Sequence, residues 1–366
     1  MLVIFRPVPE HNTNTSPRVW VIAAYRAGEQ SQLLALAEAL GWPFEVKQLR
    51  HRWQGALFNL LRGTGLRGID VAASSLLGAP WPDVVIAAGM RNEPVCRWIR
   101  EASGGRTRIV HVGRPWADAH NFDLVITTPQ YRLPEDPRVL QNTLTLHRVT
   151  PERLASAREQ HGARLAALPA PRIAVIVGGP SGPYAFGPRA GARLGRQASL
   201  LAGALGGSLM ITTSARTPRA ALAALRSSVT VPHELYEWQP GDAQNPYFAY
   251  LACAERLIVT FDSISMLSEA CATGRPVYMF DLARDHGAGA RTGGADHSLR
   301  SLGYALLLRL GPRRLGRDIG LVHEQLLRDG RAAWLGASGE PLPGAGAVDA
   351  DIDRAVARVK ALLAQA

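Results

Sequence analysis

Residues 259–280, VTFDSISMLSEACATGRPVYMF, hold the side-chain types that grip phosphates and sugar hydroxyls. Asp262, Ser263 and Ser265 are small and oxygen-bearing, suited to accept the unpaired N–H groups at a helix start. Met266 to Thr273 reads as the helix, Gly274 as its left-handed stop, and Pro276 forbids continuation. Ser265 and Glu269 are four apart, so they share a helix face that begins at the positive end of the dipole. A carboxylate there suits a ribose diol or sugar hydroxyls, while the N–H groups and serines suit phosphate. An ordinary strand–helix turn with Glu269 as a solvated helix residue meets the same spacing.

Two more strand ends carry similar groups. Ile173 to Val177 runs straight into Gly178, Gly179, Ser181 and Gly182, where a phosphate can approach bare backbone. This run is neither G-x-G-x-x-G nor a Walker sequence, which disfavours a nicotinamide dehydrogenase or a P-loop NTPase; a glycine-rich turn without ligand stays open. Leu209 to Thr213 leads into Ser214, Arg216 and Thr217, hydroxyls plus one guanidinium. That loop equally serves to cap the helix starting near Pro218. In the N-terminal half, Val19 to Ala24 ends in a loop holding Glu29, Gln30 and Gln32. Glu29 is a candidate general base or a plain helix-capping acid. Arg91 and Arg114 fall at two further strand ends, as acceptor or phosphate contacts or as surface arginines.

No metal site is expected. Asp349, Asp351 and Asp353 make two D-x-D matches, but Arg354, Arg358 and Lys360 follow them, the order that compensates a helix dipole. His286 and His297, in a glycine-rich loop over 284–300, lack a partner four residues away and read as solvent-exposed.

The elements that must hold these groups follow from periodicity. Short β-branched apolar runs alternate with helical stretches throughout, the pattern of doubly wound parallel sheets. Residues 162–172 read as a linker, and a second sheet starts at Ile173. In one parallel sheet the ends near 178–182, 212–217 and 262–269 would share an edge, where such sheets bind ligands. Residues 50–78 break the pattern. Trp53, Leu57, Phe58, Leu60 and Leu61 interleave with Arg50, Arg52, Arg62 and Arg67, as in a packed helix with a cationic face or a membrane-surface segment.

At 366 residues the chain suits two domains, and no apolar run approaches the roughly 20 residues of a spanning helix. The first residues lack the features of a secretory signal, and Cys96, Cys253 and Cys271 form no disulfide framework. A cytoplasmic protein is expected, with peripheral contact at the inner membrane as an option. The net charge of +11 comes almost wholly from arginine, since Lys47 and Lys360 are the only lysines. Scattered arginines without a recognition module argue against nucleic acid and leave phosphate-bearing substrates or an anionic membrane surface.

The phrases GEQSQLLALAEALG, PDVVIAAG, FDLVITTP, GGPSGPYAFG, TTSARTP and NPYFAYLACAERLIVTFDSISMLSEACATGRPVYMF occur in order between about residues 19 and 282. Together they resemble the Elm ("elongate mitochondria") family of plant fission factors and their bacterial relatives. One departure is Ala215-Arg216, where the family often carries paired arginines. The resemblance implies a GT-B-like α/β fold: two Rossmann-like domains with parallel sheets facing a cleft. The N-terminal acceptor domain would span 1–165, the donor domain 172–345, and a helix over 349–366 would pack back on the first domain. It also implies a glycosyltransferase needing no cofactor or metal, moving sugar from a nucleotide-sugar to a lipid-linked or envelope acceptor. Gly178, Gly179, Ser181, Gly182, Ser214, Arg216, Thr217, Asp262, Ser263, Ser265, Met266 and Glu269 would meet the donor. Gln30, Arg91 and Arg114 would face the acceptor, with Glu29 as base. A non-catalytic adaptor and a nucleotide-sugar epimerase are the alternatives.

Overall fold

A computed structural model describes residues 16–52, 64–182, 184–282, 316–337, 341 and 349–364. His286, His297 and the 284–300 loop lie outside the described residues, as do Trp53, Leu57, Phe58, Leu60 and Leu61.

The N-terminal sheet is built from β1 (Val19–Ile22), β2 (Phe44–Lys47), β5 (Val84–Ala88), β6 (Arg108–Val112), β7 (Leu124–Thr127) and β8 (Val139–Gln141). They lie in the order β2-β1-β5-β6-β7-β8, all parallel. β1, β5 and β7 are buried along their whole length, which is why they read as unbroken apolar runs rather than alternating ones. One face is covered by α1 (Ala27–Leu40) through Leu33, Leu36 and Leu40. The other takes α2 (Glu93–Ala102) through Val95, Cys96 and Ile99.

After α3 (Pro151–Leu165) the chain crosses to a second all-parallel sheet. Its strands are β9 (Arg172–Ile176), β10 (Ser208–Thr212), β11 (His233–Tyr236), β12 (Arg256–Thr260), β13 (Val277–Phe280) and β14 (Ala333–Trp334). Their order is β11-β10-β9-β12-β13-β14. The helices here are α4 (Pro188–Ala204), α5 (Arg219–Ser228), α6 (Tyr247–Cys253), α7 (Ile264–Ala272) and α8 (Gly320–Arg328). The connection is shorter than the composition suggests, because α3 continues to Leu165 and only 166–171 remain before β9.

Each sheet has one place where successive crossovers change direction: between β1 and β5 in the first, between β9 and β12 in the second. Ligands of open α/β sheets sit outside the carboxyl ends of the strands at such points. The chain returns through α9 (Asp349–Ala364), which packs on α1, β6 and β7. Asp351 in its first turn accepts the backbone N–H groups of Thr143 and Leu144, each at 3.0 Å. This acid of the D-x-D run therefore anchors a helix start. The 50–78 region is not one long helix where it is described. β3 (Arg50–His51) and β4 (Ile69–Asp70) pair antiparallel within it.

Candidate functional site

α7 starts at Ile264, two residues earlier than its spacing suggests, and ends before Gly274, which takes φ 68° as its stop. The expected capping does not occur. Ser263 occupies the cap position but its side chain accepts nothing from the first turn. Asp262 turns away from the helix and accepts the Gly179 N–H at 3.1 Å and an Arg216 N–H at 2.8 Å. It is buried, and desolvation raises its pKa against the opposing pull of Arg216.

That carboxylate ties three strand tips together, since β10, β9 and β12 are neighbours in the sheet. The Gly178 N–H donates to Thr260 Oγ1 at 2.8 Å, and the Thr217 hydroxyl donates to the Gly178 carbonyl at 2.6 Å. Arg216 also donates to the carbonyls of Gly179 (3.3 Å) and Pro180 (3.0 Å). A Cβ at Gly179 would lie far inside van der Waals contact with the Arg216 carbonyl oxygen, and one at Gly178 would collide with the Asp262 carboxylate. These glycines therefore serve the approach of one loop to another. Ser181 and Tyr184 exchange backbone hydrogen bonds across Gly182, at φ 58°. Ser214 Oγ lies 3.2 Å from Thr217 Oγ1, closing its own turn.

Glu269 is only 6% exposed, so it is not a solvated helix residue. The Tyr247 hydroxyl donates to its Oε2, and Ser31 Oγ, from α1, lies 3.4 Å from Oε1. Desolvation pushes its pKa up to about 7, against those two hydrogen bonds and Arg148. One residue earlier, Ser268 Oγ accepts from the Thr145 N–H (3.1 Å) and hydroxyl (2.9 Å) of the first domain. Met266, on the other side of α7, is half-buried and packs against the second core. Tyr247 and Ser31 are absent from the residues singled out by spacing. Asn245-Pro246-Tyr247 at a helix start was the only local sign of the first, and Ser31 had none.

The two direction-change points meet. The start of α1 faces the start of α7, so that a Cβ on Gly28 would lie 3.5 Å from Ser265 Cβ and 3.6 Å from its Oγ. Neither helix start is capped by a side chain. Each such end carries about half a positive charge, so two of them opposed make a place that favours an anion. Glu29 sits in the first turn of α1, its Oε2 3.6 Å from where a Gly89 Cβ would be. Burial raises its pKa, and Arg26 and Arg317 pull the other way. Gln30 closes the β1 loop by accepting the Ala24 N–H at 2.7 Å. Arg91 is exposed beside the Tyr25 ring, 5.7 Å from its centroid. Arg114 donates to the Gly316 carbonyl at 3.0 Å, which docks the second domain on the first. Among the described residues no helix is long and apolar enough to cross a membrane.

Comparison with known proteins places this geometry. The chain is 29% identical over 246 residues to a protein named Mitochondrial fission protein ELM1 from Arabidopsis thaliana, covering 60% of this chain. It spans 56% of that relative's length. Among solved structures it resembles UDP-GlcNAc 2-epimerase from Neisseria meningitidis at 12% identity and TM-score 0.42, covering 85% of this chain and 99% of the other. It also resembles ADP-heptose LPS heptosyltransferase II from E. coli at 14% identity and TM-score 0.40, with the same coverage. A family model described as Mitochondrial fission ELM1 matches residues 27–331, most of the chain. By that match the chain, with its two six-stranded parallel sheets, belongs to the mitochondrial fission ELM1 family.

Proposed function

We propose that the protein is a glycosyltransferase that takes a sugar from a nucleotide-sugar to a lipid-linked or envelope acceptor at the contact between its two sheets. The observation that carries this reading is the pair of helix starts, α1 and α7, that no side chain caps and that meet at the two direction-change points. Breaking a sugar–phosphate bond leaves charge on a diphosphate, and fixed dipoles aimed at that charge stabilise it without reorganisation. The reading gives this work to the two helix ends, the Ser263 and Ser265 hydroxyls and the outer edge of the Arg216 guanidinium. Glu29 takes the acceptor hydroxyl's proton. Burial raises its pKa, which makes it a stronger base than an exposed carboxylate. Glu269 holds the donor's hydroxyls through Oε1, the oxygen whose contact with Ser31 is the longer one.

A second reading has one observation in its favour. The tips of β9, β10 and β12 are satisfied by one another through Asp262, Arg216 and Thr217, as a purely structural or adaptor protein would have them. The test is donor turnover with a panel of UDP-, GDP-, ADP- and dTDP-sugars. Transfer or slow donor hydrolysis supports the proposal, and Glu29→Gln then lowers turnover by about 100-fold or more at unchanged donor affinity. Release of an isomerised donor without acceptor indicates an epimerase. No turnover and no binding with any donor indicates the adaptor.

A further inference from the structure

The described residues of the first domain expose three large apolar side chains more than half: Tyr25 at 85%, Leu76 at 83% and Val71 at 56%. Tyr25 is far in sequence from the loop that holds the other two, but a chain of contacts links them along one strip. Tyr25 neighbours Arg91, whose charge acts on His51. His51 Nε2 lies 3.1 Å from Asn92 Oδ1, and an Asn92 amide N–H reaches the Ala23 carbonyl at 3.1 Å. His51 pairs with Ile69 and Arg50 with Asp70, directly before Val71. The loop from Val71 to Leu76 is then pegged down. Ser74 Oγ accepts the Arg50 N–H and Ser75 Oγ the Gln48 N–H, each at 2.9 Å, while the Ser75 N–H returns to the Gln48 carbonyl at 2.8 Å.

Soluble surfaces carry single exposed apolar residues without consequence, but three on one ordered strip call for a partner. The charge around them selects it. Arg50, Arg52, Arg67 and Arg91 are exposed along the strip. The acid paired within it, Asp70, has its Oδ1 engaged by the Ala73 N–H at 3.3 Å. Aliphatic tips ringed by guanidinium groups match a bilayer interface, where the tips enter the acyl boundary and the arginines meet anionic headgroups. They match a nucleic acid less well, because only Tyr25 offers a ring, with Arg91 already beside it, and Leu76 and Val71 give a base nothing to stack on.

We infer that the strip from Tyr25 and Arg91 through Arg50, Val71 and Leu76 is a docking face for an anionic lipid surface. It lies beside the carboxyl end of the first sheet, so docking would bring that sheet's rim to the membrane. The inference stands apart from glycosyl transfer, and Glu29→Gln should leave it intact.

Co-sedimentation with vesicles of phosphatidylcholine containing about 30% phosphatidylglycerol tests it, using the full chain. The wild type should bind them at least about tenfold more tightly than pure phosphatidylcholine, and less as salt rises. Val71→Ser with Leu76→Ser should weaken binding about tenfold, and Arg50→Gln with Arg52→Gln and Arg67→Gln should reduce the salt dependence to what Arg91 alone supports. Both variants should keep the wild-type melting temperature, since the side chains are exposed. Equal binding by wild type and variants, or no wild-type binding to the anionic vesicles, overturns the inference. So does capture of a single-stranded oligonucleotide in place of vesicles.

Discussion

The strand tips of the two sheets are built to opposite plans. In the second sheet the tips are locked: Asp262 is buried, Arg216 is held by two carbonyls and a carboxylate, and Glu269 is enclosed between Tyr247 and Ser31. In the first sheet they are open, with Tyr25, Arg26 and Arg91 standing in solvent and Glu29 partly accessible beside Gly89. A site that must stabilise developing charge gains from dipoles already in place, whereas one that admits a large or surface-held acceptor needs room. In the proposed reaction the locked rim would serve the donor and the open rim the acceptor.

The largest break in this contrast comes from Gly179→Ala. The added methyl meets the Arg216 backbone, which cannot step aside as a flexible side chain would, so a loss of about 3 kcal/mol or more is expected. Gly89→Ala on the open rim meets only ordinary contact and the cost of a positive φ (78°), about 1–2 kcal/mol. Urea denaturation of both variants measures the difference, and equal losses would erase it.

The next effect is a pH dependence. Glu269 has its folded pKa raised from 4.5 to about 7, so the folded state holds the proton more tightly than the unfolded chain. Its contribution to stability therefore falls as pH rises from about 4.5 to about 7 and is constant above. At about 1.4 kcal/mol per pH unit the whole change is at most about 3.5 kcal/mol. Burial shifts Glu29, Asp262 and Asp351 the same way, so the readout is the difference between wild type and Glu269→Gln. That difference should narrow toward acid pH. A pH-independent difference would show that Glu269 is not the buried titrating group of the locked rim.

The smallest effect lies on the open rim, where Arg91→Ala should change stability by no more than about 0.5 kcal/mol. A larger loss would mean that this rim is also locked.

Much of this contrast was out of reach of local patterns. The parallel sheets were legible because strands buried on both faces must be apolar without interruption, as at Val84–Ala88 and Val19–Ile22. The neighbourhood of the 178, 214 and 262 loops followed from the fold class. What occupies those loops did not. Gly178 and Gly179 have the character of a phosphate cradle, yet their close neighbours are Asp262 and the Arg216 backbone, dozens of residues away. Ser263 looked like a cap because capping is local, while its neighbour Asp262 was claimed by a distant guanidinium. The enclosure of Glu269 depends on Ser31, 238 positions away and across the domain boundary. The strip at Arg50 and Val71 resembled a helix by composition, whereas its described part is held by a two-residue β pairing and serine pegs.

The central claim, an anion held between the opposed starts of α1 and α7, is tested most directly by calorimetric titration of Ser265→Asp with nucleoside diphosphates, beside the wild type. The added carboxylate would occupy the anion's place at the α7 start and favour the helix dipole by about 0.3–1 kcal/mol. The account predicts that the wild type binds at least one nucleoside diphosphate, while the variant is equally or more stable and binds none. Undiminished binding by the variant, or no binding of any diphosphate by the wild type, would contradict it.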